Sequence, residues 1–123
     1  MKYNSFGECA IRAYEKMRKE KCSALEAWVT TAEEIFGVGS SSSKKSCPKH
    51  AFLGVVDANH KKSKNAEYAL EALEKLNEKL KKNPKEKFEF TSKLDFWRDE
   101  MKKEIAHNSQ VDVVFALWSK GYI

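Results

Sequence analysis

A chain of 123 residues, one third charged, two fifths apolar and formally +5, has the length of one ordinary domain and too many large apolar side chains for disorder. Its apolar runs, such as Val113–Trp118, fall far short of the roughly 18 residues that a membrane span needs, so no transmembrane helix is expected. Cys9, Cys22 and Cys47 are odd in number and lack Cys-x-x-Cys spacing, which argues against a disulfide framework or a zinc site and for reduced thiols without metal or cofactor.

The N-terminal residues lack the apolar stretch and small-residue cleavage site of a signal peptide, and a cytoplasmic protein is expected. Phe6, Ala10, Ala13, Tyr14 and Met17 recur at helical spacing, and Ser5-x-x-Glu8 reads as a capping box, which predicts a first helix running to about Lys21. A second capping pattern, Ser23-x-x-Glu26, precedes Leu25, Trp28, Val29, Ala32, Ile35 and Phe36; Gly37 supplies a stop, so the second helix covers Ser23 to Phe36. A flexible Gly/Ser/Lys stretch is expected through Ser46. Pro48 suits the first turn of a third helix, which carries the apolar run Ala51–Val56 and ends near Ala58.

The long helix that follows, from about Asn65 to Lys82, turns Tyr68, Ala69, Ala72, Leu73, Leu76 and Leu80 inward and ends before Pro84. Ser92-x-x-Asp95 opens a fifth helix with Leu94, Trp97, Met101 and Ile105 on one face. Ser109-x-x-Asp112 opens the sixth, which lines up Val111, Val114, Phe115 and Trp118 and closes at Gly121. The reading is a single all-α domain, residues 1–123, of about six helices in a compact bundle.

Function is less legible than fold, and charge is the best clue. Between Ser40 and Lys64 stand six lysines, Lys44, Lys45, Lys49, Lys61, Lys62 and Lys64, against one acid, Asp57. The flanks, residues 1–39 and 65–123, each sum to zero, so the whole excess belongs to this segment. Both lysine groups precede helix starts, where free amides and the helix dipole favour anions, and the segment fits the phosphates of a nucleic-acid backbone. The loop Gly37–Ser46 is no nucleotide-hydrolysing phosphate loop, because its spacing is wrong and a helix rather than a strand precedes it.

Two segments resemble an uncharacterised family of small bacterial proteins, a domain of unknown function. Ser42–Gly54, with its Cys47-Pro48-Lys49-His50-Ala51-Phe52-Leu53 core, is similar to that family's central signature, followed by Asn65 and Tyr68-Ala69. His107-Asn108-Ser109-Gln110-Val111-Asp112-Val113-Val114 with Trp118 is similar to its C-terminal signature, and the Ala27-Trp28 helix extends the likeness over most of the chain. The resemblance implies an all-helical fold and attaches no activity to it. It also draws notice to the polar positions Asn65, Asn108, Gln110 and Asp112.

Three functions compete. The first is a binding module for a phosphate-rich partner, DNA or RNA, through the basic segment 40–64. The acids Glu67, Glu71, Glu74 and Glu78 along the fourth helix argue against that helix entering a major groove, so contacts should be to backbone. The second is a protein-interaction module, such as an inhibitor or accessory factor of a mobile element. An enzyme centred on Cys47, activated by nearby lysines, with His50 and His107, ranks last because no oxyanion element or second base is identifiable. Trp28, Trp97 and Trp118 lie on apolar stripes and read as core rather than as base-stacking platforms.

Overall fold

A computed structural model of the protein describes residues 3–57, 63–82, 97, 101 and 109–123, without the side chains of residues 79–82. The described residues form five α-helices and no strand: α1 (Ser5–Glu20), α2 (Ala24–Phe36), α3 (Ser46–Val56), α4 (Lys64–Lys82) and α5 (Gln110–Ser119). The α5 helix is the sixth expected from sequence; the expected fifth lies outside the described residues apart from Trp97 and Met101, both buried. Leu80 also has no described side chain.

Helix ends follow local chemistry, with two corrections to the capping boxes. At α1 the cap is Asn4 rather than Ser5: its Oδ1 accepts the Phe6 amide at 3.0 Å, and Ser5 is already helical. Asparagine does this as well as serine, so one residue of drift was enough to mislead. At α2 the expected serine is right, because Ser23 Oγ accepts the Glu26 amide at 3.1 Å, and the Gly37 amide closes the helix on Glu33 O at φ +98°. Ser63 Oγ caps α4 by accepting the Ala66 amide at 3.1 Å. Ser109 precedes α5 in a left-handed conformation, φ +68°, and makes no capping bond with its side chain. The Gly121 amide on Trp118 O and the Tyr122 amide on Leu117 O, each 3.0 Å, close α5 with a left-handed glycine.

The stretch 37–45, expected to be flexible, is a chain of turns. Ser40 Oγ donates to Gly37 O at 2.8 Å and accepts the Ser43 amide at 3.1 Å, and Ser43 Oγ donates to Ser40 O at 2.8 Å. Serine hydroxyls here supply the backbone partners that water would otherwise give.

The core centres on α5, whose residues Gln110–Trp118 are all buried; it packs against α1, α3 and α4. A helix buried all round must be nearly free of charge, and Asp112 is its one ionisable residue. Trp118 reconciles its indole with burial by donating from Nε1 to Asn77 Oδ1 at 3.1 Å. Trp28 packs against Phe52 in a tilted arrangement with centroids 5.1 Å apart. α3 and α4 approach closely at Gly54, where a Cβ would lie 2.6 Å from the Ala66 Cα. Leu25 and Val29, expected on the inner stripe of α2, are 50% and 38% exposed. The inward side is Ala24, Ala27, Trp28, Thr31 and Ala32, and small alanines let that arc sit so near its neighbours that the flanking positions turn outward.

A candidate phosphate-binding end of the bundle

Lys44 and Lys45 are exposed just before α3, Lys49 is half-buried in its first turn, and Lys64 is the exposed first residue of α4. Lys61 and Lys62 lie outside the described residues. Lys45 occupies the capping position of α3 in extended backbone, with no side chain capping the helix. Its ammonium sits over the Phe6 ring, 5.5 Å from the centroid, and Phe6 packs in turn on Phe36 at 4.7 Å.

The two lysine groups do not form one continuous run. α3, eleven residues and about 16 Å long at helical rise, stands between Lys45 and Lys64 in the chain, and its middle, Ala51–Gly54, is buried. Side-chain bonds at the helix starts connect the two sides instead. The Asn4 amide donates to Asp112 Oδ1 at 3.0 Å and Asn4 Nδ2 donates to Ser109 Oγ at 3.0 Å, which ties the start of α1 to that of α5. Gln110 Nε2 donates to Asn65 Oδ1 at 2.9 Å, which ties the start of α5 to that of α4. Three helix N-termini therefore meet at one end of the bundle, bordered by Lys45 through Phe6 on one side and by Lys64 beside Asn65 on the other. Glu8 and Glu67 stand in the first turns of α1 and α4 and offset those helix ends, so the lysines carry the positive excess.

The polar candidates fall within this end, and what they do there is hold helices together. Asn65 and Gln110, 45 positions apart, bond each other. Asp112, 1% exposed, places its carboxylate in the first turn of α5 and on the amide that starts α1, where an anion is favoured by both helix ends. The left-handed Ser109 costs on the order of 1 kcal/mol or more for a residue with a Cβ, and the Asn4 amide group holds its hydroxyl. His107 and Asn108 lie outside the described residues.

Of the enzyme candidates, Cys47 is the second residue of α3 and His50 stands one turn further on the same helix, both half-buried. The buried Cys9 thiol is pushed up to about 12 by desolvation, with smaller opposing effects from Arg12 and Lys16, which closes it to nucleophilic chemistry near neutrality. Among the described residues no group of three or more His, Cys, Asp or Glu side chains is placed to hold a metal ion. Trp28, Trp97 and Trp118 are buried at 1%, 2% and 2% exposure, in keeping with their reading as core.

Sequence reasoning missed Tyr3 and Asn4. Tyr3 lies against Gly7, where a Cβ would come within 2.7 Å of its ring atoms. The spacing of four between an aromatic residue and a glycine was the available signal. Asn4 two residues before an aromatic helix position was the signal for the cap.

No helix among the described residues is long and apolar enough to cross a membrane. No curated protein and no solved structure matches the chain. The family of unknown function DUF6979 matches residues 3–123, and with nearly the whole chain covered the protein belongs to that family.

Proposed function

We propose that the protein is a binding module for a phosphate-rich partner, a nucleic-acid backbone, and that its basic segment 40–64 makes the contact. The observation that carries this reading is the meeting of three helix starts between Lys45 and Lys64, in a chain whose remaining charge cancels. Lys44 and Lys45 engage phosphates on the α3 side, with Lys49 behind them. Lys64, with Lys61 and Lys62 next to it in sequence, engages them on the α4 side. Each contact displaces a counterion, so affinity should come mainly from salt-sensitive backbone contacts and vary little with base sequence. A cytoplasmic setting, where polyanions are abundant and thiols stay reduced, suits this role.

Mobility shift and fluorescence anisotropy at several salt concentrations test the reading. The wild type should show a log-log salt slope of about −0.9 per phosphate contact on duplex and about −0.7 on single strands. Replacing Lys44, Lys45, Lys49, Lys61, Lys62 and Lys64 with Gln should weaken binding and flatten the slope while the far-ultraviolet spectrum stays helical. No wild-type binding at low salt would overturn the reading. It would favour a protein-interaction module instead, for which the exposed Leu25 and Val29 on the outer side of α2 offer an apolar contact.

A further inference from the structure

The α2 helix carries a second surface, built from residues outside the basic segment. Among the described residues the exposed large apolar side chains are Leu25, Val29 and Val38, at 50%, 38% and 83%. The first two lie one turn apart on α2, and the third is in the turn that follows it. Single exposed apolar residues are ordinary on a protein surface, but neighbours on one helix leave an apolar contact unfilled. Leu25, Val29, Ala32 and Phe36 also repeat at the alternating spacing of four and three with which two helices pack along a shared seam. Ala32 is buried and Phe36 packs on Phe6, so Leu25 and Val29 are the open part of that seam.

Charge on the same face identifies what would cover it. Glu26 and Glu33 each follow a seam position by one residue, the flanking place where paired helices carry interhelical ion pairs. Neither has an ion-pair partner among the described residues, whereas Glu34 is held by Lys16 and Arg12. α2 itself contains no basic residue. A second copy of α2 laid antiparallel on this seam would bring Glu26 of one helix against Glu33 of the other, and like charges at facing positions disfavour a homodimer through this face. A partner with cations beside its apolar side chains satisfies it.

We propose that the outer face of α2 docks a basic amphipathic helix of another protein, whose apolar residues cover Leu25 and Val29 and whose lysines or arginines meet Glu26 and Glu33. The surface shares no residue with the segment 40–64, so it stands or falls apart from the phosphate reading. With two partly open anchors, the contact belongs to the weak, exchangeable class.

The probes are two synthetic peptides of about 18 residues, long enough to hold a helix, with leucine along one face and either lysine or glutamate beside it. Titrating the lysine peptide into isotope-labelled protein should shift the amide resonances of α2, and the glutamate peptide should leave them in place. Leu25→Ala/Val29→Ala, at exposed positions and compatible with a helix, should weaken lysine-peptide binding by about tenfold. Glu26→Lys/Glu33→Lys should lose the lysine peptide and admit the glutamate peptide, while Lys44→Gln/Lys45→Gln/Lys64→Gln should not weaken lysine-peptide binding. Equal shifts of α2 with both peptides, shifts centred on another element, or full affinity in Leu25→Ala/Val29→Ala would overturn the proposal. So would a wild-type dimer in analytical ultracentrifugation that Leu25→Ala/Val29→Ala dissolves, because a second copy would then cover the face. Should either α2 variant fail to fold, the wild-type titration decides by itself.

Discussion

Gly54 shows how a single missing methyl group sets the packing of two helices. The Ala66 backbone stands where its Cβ would be, with the Ala66 Cα at 2.6 Å and O at 3.1 Å, so Gly54→Ala must force α3 and α4 apart. Overpacking of this kind costs on the order of 1 to 3 kcal/mol, which denaturant melting should register as a lower midpoint; an unchanged midpoint would mean that the helices yield freely at this contact. The thiols divide on the same scale. Cys9 is buried, with its pKa held near 12 against an ordinary value of 9.0, so the folded thiol stays protonated at a pH where the unfolded one ionises. The unfolded state then binds fewer protons, and stability contributed by Cys9 is fully present below about pH 9 and declines as pH rises towards 12. The decline should approach about 1.4 kcal/mol per pH unit relative to a Cys9→Ala control, and parallel slopes for the two proteins would refute the assignment. Alkylation at neutral pH should accordingly label the half-buried Cys47 faster than Cys9; the reverse order would remove the basis of the burial argument.

Element by element, the sequence was most readable where apolar spacing and punctuation agreed. The second helix had serine at one end and glycine at the other, and the structure ends it at Phe36 as the spacing requires. Buried periodicity placed the fourth helix to within a residue of its start, Lys64. The cap of α1 was misread because two capping residues, Asn4 and Ser5, stand next to one another in sequence and only backbone geometry chooses between them; at α5 Ser109 holds the expected capping position, but in left-handed backbone and without the expected side-chain bond. Leu25 and Val29 were misread because hydrophobicity alone does not say which arc of a helix alanines will let closest to a neighbour. The candidate site was legible in its charge and not in its shape. Lysine counting found the segment, but the bonds that join the starts of α1, α4 and α5 run between residues 45 and 108 positions apart, and local spacing carries no trace of them. That is also why Asn65, Gln110 and Asp112 drew attention as chemistry when their described bonds join helix to helix.

At the scale of the whole molecule, formal charge cancels in residues 1–39 and in residues 65–123, and among the described residues ion pairs join α1 to α2. Along the groove between α1 and α2, Lys16 lies 2.9 Å from Glu34 and Arg12 lies 3.6 Å from it. The Lys16 hydrogen bond holds the Glu34 pKa below its ordinary value and raises that of Lys16. Exposed pairs of this kind add little stability, yet they cancel the field over that surface. With Glu8, Glu67 and Asp112 in the first turns of α1, α4 and α5, the exposed Lys44, Lys45 and Lys64 are the proposed landing place for a polyanion. The direct test is a comparison of two triple variants with the same change in net charge, Lys44→Gln/Lys45→Gln/Lys64→Gln and Lys19→Gln/Lys21→Gln/Lys120→Gln, all at exposed positions, by the salt dependence of nucleic-acid affinity. The first should lose affinity and shed roughly two to three contacts from the slope, at about 0.7 to 0.9 each, while the second stays close to wild type. Equal losses in both variants would show that net charge alone attracts nucleic acid and would contradict a defined binding end.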